Sequence, residues 1–316
     1  MSRLEVSVVA PFFNELEALP SFCTELRRVM DSLGCIYEVL LVDDGSSDGG
    51  AEHLQNSLDW PECSVIRLAT NVGHQNALDA GLHTSVGAWV ITMDADLQHP
   101  PSIIPRMLEI AMYENVSIVY GIQKDRSDDS FFKRSTATAY YKIMRAITGV
   151  NLIPHAADFR LLSADIVRIL NALPEEKVFR LLIPSLGYPF ASVYYKASKR
   201  VAGHSKYSLI KMVKLALRSI ITFSVTPLRW VVAVGLVTSF IAFCWLLGVV
   251  IAFSRGLTVS GWTSVMAAVL FLGGLQILAL GTIGEYLANL VALSKNRARY
   301  AIRDINNLTS KPPHEH

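Results

Sequence analysis

Two carboxylates and a carboxamide directly follow one short apolar stretch of the chain. Residues 90–93 are Val-Ile-Thr-Met, and Asp94, Asp96 and Gln98 come immediately after them. Carboxylates spaced i, i+2 at a strand end can offer hard oxygen ligands to one Mg²⁺ or Mn²⁺ ion, which commonly shares them with substrate phosphates. Because aspartate is also a common turn residue, the pair alone favours a solvated turn, and a site needs support from neighbouring segments.

Two earlier apolar stretches end in polar residues in the same way. Residues 6–11 are followed by Asn14 and Glu15, and residues 37–42 are followed by Asp43 and Asp44. In an open α/β sheet, ligands bind at the carboxyl ends of the strands. We therefore expect these polar groups to converge on the Asp94 segment, where a carboxylate of the second strand could accept a hydrogen bond from a nucleobase.

Hydrophobic periodicity predicts the elements that position these groups. Apolar runs predict strands, and apolar residues at helical spacing predict helices between them. The predicted strands are 6–11, 37–42, 64–68, 88–93 and 116–120, and the predicted helices are 16–33, 77–84 and 101–113. This alternation indicates an α/β fold with a largely parallel sheet and helices on both faces. No Gly-x-Gly-x-x-Gly follows the first strand, which disfavours a dinucleotide fold of the usual kind.

The apolar residues of the chain are concentrated after residue 228. Hydrophobic residues make up 51% of the 316 residues, charged residues make up 18%, and the net charge of +2 indicates no nucleic-acid partner. Residues 230–253 and 262–284 each lack any charged residue. Each stretch is long enough to cross a bilayer, so a transmembrane hairpin is favoured over two buried core helices.

The distribution of Lys and Arg predicts the orientation of this hairpin. Basic residues precede the first span and follow the second: Lys206, Lys211, Lys214, Arg218, Arg229, Lys295, Arg297, Arg299 and Arg303. The loop between the spans carries only Arg255. The positive-inside rule then places both termini and the catalytic domain in the cytosol, and a bacterial inner membrane is expected. Residues 206–223 have one apolar and one basic face, which predicts an interfacial helix or a helix packed on a neighbour. The role of Glu285, near the end of the second span, is left open.

Several motifs, taken in order, resemble the family 2 inverting glycosyltransferases of GT-A fold. They are Val-Val-Ala-Pro-Phe-Phe-Asn-Glu at 8–15, Val-Asp-Asp-Gly-Ser-Ser-Asp-Gly at 42–49, Asn-Val-Gly-His-Gln at 71–75 and Met-Asp-Ala-Asp-Leu-Gln-His-Pro-Pro at 93–101. Asp-Phe-Arg at 158–160 and the basic segment 199–207 are similar to the polyprenyl-phosphate branch of that family. This branch includes dolichyl-phosphate mannosyltransferases and bacterial undecaprenyl-phosphate glucosyltransferases, and the resemblance covers essentially the whole chain.

The resemblance implies roles for individual residues. Nucleotide binding is implied for Pro11, Phe13, Glu15, Asp43, Asp44 and Asp94, and metal binding for Asp94, Asp96 and Gln98. A place at the reacting groups is implied for Asp158, Asp96 and Arg200, with Arg200 facing phosphate and Mg²⁺ or Mn²⁺ as the cofactor. An alternative is that Asp158 only forms an ion pair with Arg160. Lys133 and Arg134 open a basic, aromatic helix over 131–149, which is either an ordinary amphipathic helix or a site for the acceptor phosphate.

The sequence thus predicts a membrane-bound enzyme that moves a sugar onto undecaprenyl phosphate at the cytosolic face, with UDP-glucose as the first choice of donor. Alternatives are a GDP-mannose-dependent polyprenyl- or dolichyl-phosphate mannosyltransferase, a transferase acting on a polysaccharide, and a membrane-anchored nucleotide-sugar-binding scaffold without activity. Ala197 and the segment 155–157 depart from the family pattern and leave the donor sugar open. The predicted regions are the GT-A domain 1–203, the juxtamembrane helix 204–228, the hairpin 229–293 and a cytosolic basic tail 294–316. A homo-oligomer is left open.

Overall fold

The computed structural model describes residues 5–123, 153, 156–173, 177–196, 261–294 and 299–308, together with scattered residues between 231 and 255. The chain divides into two compact units. One comprises residues 1–142, 150–206 and 297–316, and the other comprises 143–149 and 207–296. The predicted helix at 131–149, the predicted interfacial helix and the basic residues Lys133, Arg134 and Arg200 lie outside the described residues.

A mixed β-sheet forms the centre of the first unit. Its eight described strands are β1 (Val6–Phe12), β2 (Tyr37–Asp43), β3 (Trp60–Leu68), β4 (Trp89–Thr92), β5 (Ile118–Gln123), β6 (Ala156–Ser163), β7 (Phe190–Tyr195) and β8 (Ile302–Leu308). Their spatial order is β7-β5-β6-β4-β1-β2-β3-β8. Strands β4, β1, β2 and β3 run parallel, whereas β6 is antiparallel to β4 and β5, and β8 is antiparallel to β3. The α/β prediction is confirmed, but the largely parallel sheet is corrected to a mixed one.

Helices cover both faces of this sheet. They are α1 (Leu19–Ser32), α2 (Gly50–Ser57), α3 (His74–Thr84), α4 (Ile104–Tyr113), α5 (Ala164–Ala172) and α6 (Phe179–Ser185), and a short 3-10 turn, Pro101–Ile103, precedes α4. Val8 of β1 packs into the core formed with α1 and α4, whereas its neighbour Val9 faces α3, because successive strand residues point to opposite faces. A Cβ added at Gly81 of α3 would lie 2.2 Å from Val9 Cγ1, so glycine permits this close helix–sheet approach.

Strand β8 arises from the region that the sequence analysis assigned to a basic tail. It pairs with β3 in antiparallel register, and the Ser64 hydroxyl donates to Asn307 Oδ1 at 2.6 Å. The Ala69 amide also donates to the Ala301 carbonyl at 2.9 Å. The prediction missed this strand because its sequence, Ile-Arg-Asp-Ile-Asn-Asn-Leu, carries polar residues of low β-propensity. Such residues are tolerated at a sheet edge, where they discourage pairing with other chains.

A buried ion cluster fixes the chain just before β8 to helix α3. Asp79 of α3 accepts hydrogen bonds from Lys177 Nζ at 2.6 Å and from Arg299 Nη1 at 3.2 Å. The side chains of Asp79 and Lys177 are 3% and 1% exposed. Burial lowers the pKa of Lys177, and the contact with Asp79 opposes this shift. The carboxylate of Asp79 therefore holds two cations from distant parts of the sequence.

Asp79→Asn should lower the free energy of unfolding by about 3–5 kcal/mol, because it leaves Lys177 as a buried cation without its counter-charge. Urea unfolding of the purified protein measures the change. Asp165→Asn is the matched control, since the Asp165 carboxylate pairs with Arg168 at the surface with 73% exposure and should contribute less than about 1 kcal/mol. Equal effects of the two substitutions would show that the cluster does not stabilise the fold.

The second unit contains a long apolar helix, α7 (Trp262–Ser294). Its segment Phe271–Ala288 has a mean hydropathy of 1.3, and none of it is buried within the protein. By length and composition this helix could cross a membrane, and among the described residues it is the one helix that meets this criterion. The other predicted span, residues 230–253, falls largely outside the described residues.

Candidate active site

The carboxyl ends of β1, β2 and β4 meet at one edge of the sheet. The Met93 amide donates to the Val9 carbonyl at 3.1 Å, and the Asp44 amide donates to the Phe12 carbonyl at 3.0 Å. These contacts place the ends of the three strands side by side. The predicted convergence of the Asn14–Glu15, Asp43–Asp44 and Asp94–Gln98 segments is therefore correct in geometry.

The turn after β4 presents Asp94, Asp96 and Gln98. The backbone amide of Gln98 donates to Asp96 Oδ1 at 3.0 Å, and the backbone amide of Asp94 donates to His99 Nδ1 at 3.0 Å. His99 is buried and stacks on Phe159 with ring centroids 5.4 Å apart. The buried imidazole thereby fixes the backbone at Asp94 and so the direction in which the two carboxylates leave the sheet.

Strand β6 and helix α3 bring two further groups to Asp94. His74 Nε2 lies 3.3 Å from Asp158 Oδ2 and 3.6 Å from Asp94 Oδ1, so one imidazole bridges the two carboxylates. Arg160, two residues beyond Asp158 on β6, donates from Nη2 to Asp158 Oδ1 at 2.6 Å. The predicted ion pair between Asp158 and Arg160 is present, but the contact with His74 places Asp158 at the site as well.

The charges around Asp158 keep it ionised. Burial alone would raise its pKa, but the guanidinium of Arg160, the hydrogen bond to His74 and the charge of Arg180 together hold the pKa of Asp158 well below its usual range. Burial also lowers the pKa of His74, but the hydrogen bond to Asp158 and the charge of Asp94 outweigh it, and the pKa of His74 rises. A carboxylate held this acidic is a poor proton acceptor at neutral pH.

The carboxylates at the end of β2 are buried and hydrogen-bonded to backbone amides. Asp43 Oδ1 accepts from the Ser46 amide at 2.8 Å. Asp44 accepts from the amides of Val72 and Gly73 at 2.8 and 3.0 Å, and burial raises its pKa. Asp44 thus fixes the loop that leads into His74, and a contact of either carboxylate with a nucleobase stays a prediction.

The end of β1 offers an exposed aromatic ring beside this loop. Pro11 is buried within β1, whereas Phe13 is 45% exposed and Glu15 is half-buried. Asn14 adopts a left-handed backbone with φ +55°, and its Oδ1 accepts from the Ser47 amide at 2.9 Å. These contacts tie the loops after β1 and β2 together and leave the Phe13 ring available for stacking.

The sequence analysis assigned no role at the site to His74, Arg160 or Arg180. His74 lies in the Asn-Val-Gly-His-Gln motif, and Arg160 lies two residues beyond Asp158 and so on the same face of a strand. The sequence could therefore have indicated a place at the site for both residues. Arg180 carried none, because a single cation before an apolar run is common at any helix start. Within the described residues, no group of three or more His, Cys, Asp or Glu side chains could hold a metal ion, and metal binding by Asp94, Asp96 and Gln98 stays a prediction.

Residues 7–169 match the sequence profile of glycosyl transferase family 2. Over 311 residues the chain is 38% identical to the uncharacterized glycosyltransferase YkoT of Bacillus subtilis, covering 95% of this chain and 92% of that protein. It is 36% identical over 306 residues to the bactoprenol glucosyl transferase of Shigella phage SfX, covering 95% of this chain and 99% of that protein.

A solved structure with a similar fold is glucosyl-3-phosphoglycerate synthase from Mycobacterium tuberculosis, in complex with Mn²⁺, UDP and phosphoglyceric acid. It superposes with a TM-score of 0.53 at 20% sequence identity and covers 70% of this chain and 77% of that one. At this identity the likeness concerns the fold alone, and it agrees with the GT-A architecture that the sequence motifs imply.

Proposed function

Because the chain belongs to glycosyl transferase family 2, we propose that it transfers glucose from UDP-glucose onto a polyprenyl phosphate. The observation that carries this proposal is the extent of the similarity to proteins named bactoprenol glucosyl transferase. It covers 95% of this chain and 99% of the phage protein, and so reaches well beyond the family profile at 7–169 to the apolar helix α7 and strand β8. A match of that length includes the part of the chain that would meet a lipid.

The chemistry of the site supports a phosphate acceptor. A phosphate monoester has a second pKa of about 6, so near neutral pH the acceptor is already a nucleophile and needs no general base. Asp158, kept ionised by Arg160 and His74, is unsuited to taking a proton. Its fixed negative charge would instead stabilise the positive charge that develops at the anomeric carbon as the bond to the diphosphate breaks.

The turn after β4 fits a divalent cation shared with the donor. Asp94 and Asp96 supply carboxylate oxygens and Gln98 supplies a carbonyl oxygen, the hard donors that Mg²⁺ and Mn²⁺ prefer. Two carboxylates suffice because such ions complete their coordination with water and substrate phosphates. When bound there, the ion would neutralise charge on the leaving diphosphate. The turn itself is held by His99 and the Gln98 amide, so its carboxylates are oriented before the donor arrives.

Transfer of radiolabel into lipid tests the proposal. Purified protein, undecaprenyl phosphate and Mn²⁺ are incubated with labelled UDP-glucose or GDP-mannose, and the product is extracted into organic solvent. We expect labelled lipid with UDP-glucose and little with GDP-mannose. Lipid labelled only by GDP-mannose would favour the mannosyltransferase alternative. Nucleotide-sugar binding without any labelled product would favour the scaffold.

We further propose two membrane spans, with the catalytic unit and both termini in the cytosol. Strands β3 and β8 lie in the same sheet, so the chain before residue 196 and the chain after 299 must be on one side of a membrane. This requires an even number of crossings between them. If α7 is one crossing, the apolar stretch 230–253 is the natural second.

Reporter fusions test this topology. A fusion after His316 should report a cytosolic position, and an insertion near Ser260 an external one, because the basic residues flank the spans on the cytosolic side. A reporter inserted after Gly34, an exposed loop residue of the first unit, is a second control and should also report a cytosolic position. An external signal after His316 would overturn the cytosolic placement of the termini and the catalytic unit.

A further inference from the structure

The described part of the site contains more negative than accessible positive charge. Asp94, Asp96 and Asp158 face a donor and an acceptor that are both anions under the proposed function. Arg160 is 1% exposed and donates to Asp158, so its guanidinium lies beneath the site rather than at its surface. His74 is occupied between two carboxylates. Within the described residues, a phosphate ligand therefore needs a cation other than Arg160 and His74.

Helix α6 begins against the end of α3 that carries His74. The Phe179 amide donates to Gln75 Oε1 at 3.0 Å, and the Phe179 ring is fully buried. Two residues earlier, Lys177 is held by the buried carboxylate of Asp79. These contacts fix both sides of the helix start to α3, and they place the next residue, Arg180, close to Gln75, the sequence neighbour of His74.

Arg180 is an exposed residue. Within the described residues no hydrogen bond or ion pair engages it, whereas Arg168 of the preceding helix pairs with Asp165. Its charge is close enough to contribute to the lowered pKa of Asp158. Arg180 thus combines a backbone fixed at the His74 end of α3 with an exposed side chain that has no hydrogen-bond or ion-pair partner among the described residues.

We propose that Arg180 binds a phosphate group of the substrates directly, and that the contacts of Phe179 with Gln75 and of Lys177 with Asp79 position it to do so. Arginine suits this role because its planar fork can donate two parallel hydrogen bonds to phosphate oxygens. The phosphate belongs either to the lipid acceptor or to the donor diphosphate. The location beside Asp158 favours the acceptor. This inference rests on the proposed function.

Steady-state kinetics of the full-length protein in detergent test the role. Arg180→Gln should raise the KM for undecaprenyl phosphate about tenfold to a hundredfold, as expected for the loss of a charge-assisted hydrogen bond. The KM for the nucleotide sugar and the melting temperature should stay unchanged. Arg180→Lys should recover part of the loss. Arg168→Gln, which removes an exposed arginine of α5, is the matched control and should behave as wild type.

A binding measurement separates this inference from the proposed function. Isothermal titration of wild type and Arg180→Gln with farnesyl phosphate, a short prenyl phosphate, and with UDP requires no turnover. If wild type transfers no sugar but binds farnesyl phosphate in an Arg180-dependent way, the proposed function fails and this inference stands. Weaker binding of UDP alone would identify the donor diphosphate as the ligand. Equal affinities of wild type and Arg180→Gln for both ligands, or no binding by wild type, would overturn it.

Discussion

Asp96→Asn is expected to lower kcat/KM for sugar transfer by about a thousandfold or more while leaving the protein folded. At the proposed metal site the substitution replaces a charged oxygen with a neutral one, and Lewis-acid assistance to a leaving group contributes several kcal/mol. The fold should persist because the carboxamide retains an oxygen that can accept the Gln98 amide, as Asp96 Oδ1 does at 3.0 Å. Formation of labelled lipid measures the rate.

Two further measurements keep this prediction specific. Electron paramagnetic resonance of Mn²⁺ with UDP should show weaker binding of the ion to Asp96→Asn than to wild type, and thermal unfolding should be nearly unchanged. Asp304→Asn is a matched control, because the Asp304 carboxylate also accepts a hydrogen bond, here from Asn306 Nδ2 at 2.7 Å, but lies on β8. Near-normal transfer by Asp96→Asn, or full wild-type activity in excess EDTA, would refute the metal role.

Asp158→Asn is expected to slow transfer by about a hundredfold to a thousandfold at every pH, without removing the acidic limb of the pH–rate profile. Arg160, His74 and Arg180 hold the pKa of Asp158 far below neutral, so its ionisation does not change between pH 5 and 8. The acidic limb should instead follow the second pKa of the acceptor phosphate, about 6. Under the proposed function, the variant loses a fixed negative charge near the developing positive charge of the sugar.

A control is needed because Asp158→Asn also leaves the buried guanidinium of Arg160 without its counter-ion. The depressed pKa of Asp158 means that its ionised form stabilises the fold above its unfolded pKa of about 3.9, and this contribution is lost as pH falls towards the folded value. Transfer is therefore compared per folded molecule, with the folded fraction of each protein taken from thermal unfolding. If Asp158→Asn transferred sugar as fast as wild type per folded molecule, the effect of Asp158 would be structural. Loss of the acidic limb in Asp158→Asn would instead make it an obligate base.

The edge of the sheet that carries the site could be predicted from sequence because its signals are local. Each of β1, β2 and β4 is an apolar run that ends at a polar residue, and parallel strands align such ends. Strand β6 lacks that pattern, since Asp158 and Arg160 interrupt its apolar residues and are stable there only as a mutual pair. No local rule anticipates the contacts of His74 with Asp158, or of Lys177 and Arg299 with Asp79, because each depends on segments brought together by the complete fold.

The pairing of β8 with β3 sets an order for biosynthesis. Ser64 and Asn307, whose side chains are hydrogen-bonded, are separated by 243 positions, a contact of very high order that forms slowly. Domains begin to fold while the chain is still being synthesised, but the edge of β3 must wait until β8 has left the ribosome. The apolar helix α7 precedes those residues in the chain. The nascent enzyme therefore keeps an open strand edge, with its risk of aggregation, until α7 has already been made, so that completion of the catalytic sheet follows synthesis of the segment expected to enter the membrane.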